Sequence, residues 1–232
     1  MNFKTVLYSL AILIVAVSCA GGVSYSPEHI EQTSGRYLYN QDDIIEVFYE
    51  DNTLYLRWRG QEKIKPLALD ETTIFVEQLY KKLQFVQHPE TKKWYLSEVS
   101  KENEALVSYD YVQVADDYNT PSMHLKNKAY AKALEGYLGI QKQDSNSVLI
   151  NEREFNRLGY KFLRDSAYTD AIEVFKINVA LYPDSDNVYD SLGEGYLKSG
   201  DSLQAYENYK KALELDNGNR RAKRYIDAFE NQ

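Results

Sequence analysis

The stretch Phe155-Asn156-Arg157-Leu158-Gly159-Tyr160-Lys161-Phe162 returns in kind as Tyr189-Asp190-Ser191-Leu192-Gly193-Glu194-Gly195-Tyr196. Aromatic falls on aromatic, Leu158 on Leu192 and Gly159 on Gly193. Further along, Ala171 falls on Ala205, Phe175 on Tyr209 and Pro183 on Asn217, at a constant offset of 34 residues. Phe155, Leu158 and Phe162 stand at i, i+3 and i+7, which makes one buried stripe on a helix. Gly159, Ala171, Gly193 and Ala205 are small, as two helices in close approach require. Pro183 cannot continue a helix, so the chain turns there.

Helix pairs at this spacing resemble tetratricopeptide repeats, here at 152–185 and 186–219. One position departs from the pattern: Asn178 stands where Ala212 stands in the next repeat, and a buried amide needs partners. Two repeats alone bury too little of their faces, so extra helices are expected. Arg221–Phe229 supplies a terminal capping helix through Ala222, Ile226 and Phe229, and His124–Ile140 is either a decayed repeat or a brace. The resemblance implies a groove lined by the first helix of each pair, with Arg153, Asn156, Tyr160 and Arg164 from one repeat and Asn187, Asp190, Glu194 and Lys198 from the other. Polar residues on a rigid helical face suit an extended peptide or a partner's helix; an ordinary solvated face is the alternative.

Upstream of the helical region, 121–232, the periodicity changes to two. Ile45, Val47 and Tyr49 share one face and Leu54, Leu56 and Trp58 another, separated by the turn Glu50-Asp51-Asn52-Thr53. Further strand candidates are Arg36–Tyr39, Ile64–Leu69, Thr73–Gln78, Leu83–Gln87, Lys93–Val99 and Ala105–Val114. The expected fold class is therefore α+β with two domains: a small antiparallel barrel or sandwich over 34–115, followed by the helical solenoid. Ser34-Gly35-Arg36-Tyr37, Glu46-Val47, Asp51-Asn52-Thr53-Leu54-Tyr55-Leu56 and Leu83-Gln84-Phe85-Val86 are similar to the small β domain behind exported bacterial beta-lactamase-like serine hydrolases. Phe175-Lys176-Ile177-Asn178-Val179, with Tyr182-Pro183-Asp184-Ser185, resembles the repeat tail of the same proteins. The hydrolase itself is missing. A lipocalin-like cavity is the alternative use of the β domain, and an accessory tail acting in trans is another.

The amino terminus has its own character. Asn2 and Lys4 precede an apolar run from Val6 to Val17, too short for the roughly 20 residues that span a bilayer but suited to a signal peptide over 1–18. Ala16-Val17-Ser18-Cys19-Ala20-Gly21 resembles a lipobox, with Ala16 where that family prefers Leu; the resemblance implies acylation of Cys19 and a cell-envelope location, on the periplasmic face of the outer membrane. A secreted or soluble periplasmic form is the alternative. Residues 19–33, rich in Gly, Ser and polar residues, read as a tether.

Composition narrows the function. With 27 basic against 35 acidic residues the net charge is −8, which opposes a broad phosphate-binding surface and excludes nucleic acid as an expected partner. Aromatic residues make up 13%, dominated by 21 Tyr, more than a disordered chain carries. No Ser-x-x-Lys tetrad or Gly-x-Ser-x-Gly elbow occurs. Tyr206-Glu207-Asn208 lies within a repeat helix and reads as solvated surface. His29, His88 and His124 are isolated and read as surface loop residues, and Asp42-Asp43 and Asp116-Asp117 as solvated turns. No catalytic centre, metal or cofactor is expected; the partner is a protein or peptide of the envelope, with the membrane reached through the lipid.

Overall fold

The computed structural model describes residues 22–231. The expected leader and Cys19 lie outside them. Helix α1 (Pro27–Thr33) opens the chain, followed by nine strands: β1 (Gly35–Asn40), β2 (Asp43–Glu50), β3 (Thr53–Trp58), β4 (Gln61–Ile64), β5 (Leu67–Ala68), β6 (Thr73–Val76), β7 (Lys81–Gln87), β8 (Trp94–Glu98) and β9 (Tyr111–Val114). Helices α2 (Pro121–Lys126), α3 (Tyr130–Gln143), α4 (Glu152–Arg164), α5 (Tyr168–Leu181), α6 (Asp186–Ser199), α7 (Ser202–Leu215) and α8 (Arg220–Glu230) complete it.

The strands form a single antiparallel sheet in the order β4-β3-β2-β1-β9-β8-β7-β6-β5. This corrects the expected fold class: among the described residues there is no closed barrel and no second sheet, but one open sheet, curled on itself. The two edges, β4 and β5, are neighbours in sequence, and three residues of chain from Ile64 to Leu67 reach at most about 11 Å, so the edges must approach. They do not pair. Strand β5 is two residues long, and Pro66 beside it has no N–H to donate. The candidate strand Ile64–Leu69 is thus a corner between edges. The expected hairpin at Asp51-Asn52 is present, with both residues at positive φ (48° and 57°), the backbone that a two-residue turn between right-twisted strands requires.

The sheet's inward face is filled by Tyr37, Ile45, Val47, Leu56, Ile74, Val76, Leu83 and Leu96, all essentially inaccessible. Helix α1 packs onto this core, so the expected tether over 19–33 is corrected from residue 27 onward. Ser26 caps the helix by accepting from the His29 N–H, and Pro27 occupies its first turn. Tyr25 and Thr33 are buried, and the Thr33 carbonyl accepts from the Tyr37 hydroxyl at 2.9 Å. His29 is likewise buried, stacked against Tyr25 and edge-on to Phe85, which overturns its reading as a surface loop residue.

In the helical half the two predicted repeats are α4–α5 and α6–α7. A third lies upstream. Lys128 and Ser166 have positive φ, as does Gly200, and at each the helix closes by the same bond: Ala129 N–H to His124 O, Ala167 N–H to Phe162 O and Asp201 N–H to Tyr196 O. The turns after the second helices also match: Ser147 N–H to Asp144 O, Ser185 N–H to Tyr182 O, Asn219 N–H to Asp216 O. Thus α2–α3 is a repeat whose first helix is cut to 6 residues, against 13 in α4 and 14 in α6. Val148-Leu149-Ile150-Asn151 is inserted before α4 begins. Helix α8 follows the Asp216–Asn219 turn in the place that the first helix of a repeat takes.

Close approach within a pair is literal: a Cβ on Gly159 would lie 2.3 Å from the Phe175 ring. Asn178, fully buried, donates to Glu152 O and to Asn156 Oδ1, both at 3.0 Å, which answers why an amide replaces alanine there. The β and helical halves are tied at α2. Asp42, in the β1–β2 turn, accepts from the Ser122 N–H at 2.6 Å at the start of that helix, and Arg36 donates to Asp116 O and Tyr118 O. Asp42 is therefore a junction residue and no solvated turn; burial pushes its carboxyl above the ordinary carboxylate value while bonds from Ser122, Thr120 and Tyr137 pull it back.

Candidate binding trough

The first helices α4, α6 and α8 present corresponding residues at the 34-residue period: Arg153, Asn187 and Arg221 stand at one position, Asn156, Asp190 and Arg224 at the next. The structure divides the eight expected groove residues. Arg153, Arg164, Asn187 and Lys198 are exposed; Tyr160 and Glu194 are half-buried; Asn156 and Asp190 are buried. Asn156 faces inward and is used by Asn178, so it is removed from the recognition surface. Asn187 is engaged with Glu152, its Nδ2 donating to Oε1 at 2.8 Å.

Tyr160, Asp190 and Glu194 are brought together by Arg221. Its Nε donates to Asp190 Oδ1 at 3.1 Å and its Nη2 to the Tyr160 hydroxyl at 3.0 Å, and the guanidinium also pairs with Asp190 Oδ2 and Glu194 Oε2. The Tyr160 hydroxyl in turn donates toward Glu194 at 3.2 Å. Burial works against the guanidinium's charge, but the bonds to Asp190 and Tyr160 outweigh it and hold Arg221 well above the ordinary arginine range. Burial likewise raises the Tyr160 hydroxyl, which stays protonated as a donor. Sequence reasoning missed Arg221, although counting one period beyond Asn187 reaches it.

Arg221 is the shared counter-charge of both acids, one positive charge against two negative. Arg153, Arg164, Lys198 and Arg224 remain, exposed and without an ion pair among the described residues. On a chain of net charge −8, this face carries unmatched positive charge.

Other candidate chemistry resolves into structure. The Tyr206 hydroxyl donates to Glu230 at 2.8 Å and its ring packs on Phe229, so the Tyr-x-Asn element joins α7 to α8. His88 Nδ1 accepts from the Glu90 N–H in the Pro89 turn, and His124 sits in α2. Among the described residues there is no cluster of His, Cys, Asp or Glu able to hold a metal ion, and no helix is long and apolar enough to cross a membrane.

No family model matches the chain. The heat shock protein STI1 of Saccharomyces cerevisiae is 39% identical to it over 102 residues, which are 43% of this chain and 16% of that protein. The chain thus spans less than a fifth of the length of that relative. Among solved structures, the first TPR of Spaghetti (RPAP3) bound to HSP90 peptide SRMEEVD matches 48% of the chain and 85% of its own at 18% identity, with a TM-score of 0.34. The Arabidopsis OM64 TPR domain covers 48% and 89% at 17% identity, TM-score 0.33. A crystal structure of MamA protein covers 48% and 58% at 21%, TM-score 0.32. The helical half is a tetratricopeptide-repeat fold. Its paired helices, repeated turn bonds and glycine contacts establish this within the chain itself.

Proposed function

We propose that this protein is a non-catalytic docking protein of a bacterial cell envelope, in which the trough of α4, α6 and α8 binds an acidic, extended segment of a partner. The observation that carries the reading is the unmatched positive charge of Arg153, Arg164, Lys198 and Arg224 on one helical face whose Asp190 and Glu194 are already engaged by Arg221. Charge on such a face steers a segment of opposite sign and fixes its register. The relative bound to the peptide SRMEEVD offers a parallel in kind. The filled inward face of the sheet favours a rigid spacer over a lipocalin-like binder.

Fluorescence anisotropy with a capped 12-residue peptide of alternating Asp, Glu and Ser tests this. The R153E/R164E/K198E/R224E variant is expected to bind it more than tenfold more weakly than the parent, with the difference shrinking at high salt. Equal binding by the two proteins overturns the reading.

The leader-like residues 1–18 and the lipobox-like run ending in Cys19 support export and acylation. An acyl chain contributes about 0.8 kcal/mol per buried methylene, and two or more anchor stably. Labelling with an alkyne fatty acid is expected for the parent and lost in Cys19→Ser; label retained in that variant removes the anchor from the proposal.

A further inference from the structure

The truncation of α2 has a consequence on α4. In a full repeat the first helix would run two turns longer and cover its neighbour, but with 6 residues α2 leaves one flank of α4 open. The result is a cleft of about 490 Å³, floored by Leu125, Tyr137, Phe155 and Leu158 and edged by the inserted Val148 and Leu149. Val148 is 92% exposed, the most solvent-accessible large apolar side chain among the described residues. Along the other edge stand Arg157, Lys161 and Arg164, one helical turn apart on the same stripe.

The charges there are available. Among the described residues Arg157 pairs only with Glu154 and Lys161 only with Asp165, both exposed pairs within one helix turn, of the kind that contributes little and exchanges readily for another carboxylate. Arg164 has no ion pair among the described residues; it lines this cleft and is one of the expected groove residues.

We propose that this cleft is a second docking point, made by the four-residue insertion, for a segment carrying one bulky apolar side chain flanked by carboxylates. The apolar anchor covers Val148 and the Leu158 floor, and the flanking acids replace Glu154 and Asp165 on Arg157 and Lys161. The inference deepens the trough reading, since one partner segment could occupy both through Arg164, but its physical basis is separate and its test uses neither Arg164 nor any residue of the Arg221 network.

The probe is the capped, fluorescein-labelled peptide Glu-Asp-Glu-Leu-Phe-Glu-Asp-Glu, with a control in which Leu-Phe is Ser-Ser. Anisotropy titrations against the full chain are expected to show at least tenfold tighter binding of the apolar peptide. Val148→Glu and R157E/K161E are each expected to weaken it at least tenfold. All three positions are exposed, and unchanged far-ultraviolet ellipticity confirms the fold. R153E/K198E, in the trough, is expected to change this peptide's binding by less than threefold. Equal binding of the Ser-Ser control, or loss in R153E/K198E with none in R157E/K161E, overturns the cleft while leaving the trough standing. Sedimentation showing that a second copy of the chain occupies the cleft, with dimers abolished by Val148→Glu, also overturns it.

Discussion

Replacing Arg221 by Met removes the one cation that serves both trough carboxylates while keeping most of the side chain's apolar stem. Asp190 is only 8% exposed at its side chain and Glu194 22%, so neither recovers full hydration when the guanidinium is gone. Breaking a fully buried pair costs about 3–5 kcal/mol and an exposed one about 1 kcal/mol or less. Arg221 is itself 39% exposed, which places the loss between those limits, at about 2 kcal/mol. With a urea slope of about 2 kcal/mol/M, the midpoint for the helical half should fall by about 1 M at unchanged slope, followed by ellipticity at 222 nm. The triple variant D190N/E194Q/R221M removes the stranded charges and is expected to recover at least half of that loss. If R221M unfolds with the parent's midpoint, the Asp190 and Glu194 carboxylates do not depend on α8, and Arg221 is not the counter-charge that holds them.

Asn178→Ala deletes the donor to Asn156 Oδ1 and Glu152 O and should destabilise by about 1–2 kcal/mol; because Asn156 is the shared partner, N156A/N178A should fall short of the sum of its single variants in urea titrations. Asp42→Ala removes the acceptor at the start of α2 and is expected to cost about 1–2 kcal/mol, seen as faster hydrogen exchange of the Ser122 and Met123 amides with the sheet's strands unaffected. Burial lowers the His29 imidazole below its ordinary value of 6.5, with Glu71 opposing; a depressed histidine contributes stability that is present above pH 6.5 and lost as pH falls through its folded value. Thermal melts at pH 7.5 and 5.5 should therefore show a drop for the parent that is smaller in His29→Phe.

The paired repeats were legible because their geometry restricts residue size: only small side chains fit at 159, 171, 193 and 205, and that pattern survives exchange of Phe for Tyr around it. The α2–α3 repeat was not, because Val148–Asn151 shifts its turn residues from a 34-residue to a 38-residue offset and most of its first helix is missing, which leaves little to superpose. Helix α1 carried a start signal in Ser26-Pro27-Glu28, but the Gly and Ser around it made the segment read as a tether. Strands were legible from alternation, whereas closure was not: whether β4 and β5 pair depends on two edges brought together at Pro66, and local pattern does not encode that contact. Four of the eight groove residues are exposed, and Asn156 was lost to the core because its partner Asn178 lies on the other helix of the pair.

The central claim is that the first-helix face of the repeats receives an acidic segment. Titrating isotope-labelled protein with the alternating Asp, Glu and Ser peptide and following backbone amide shifts tests it most directly. Shifts are predicted to concentrate on α4, α6 and α8 around Arg153, Arg164, Lys198 and Arg224, with β1 to β9 unperturbed. Shifts confined to the sheet, or spread without preference over the basic side chains of the whole surface, would contradict it.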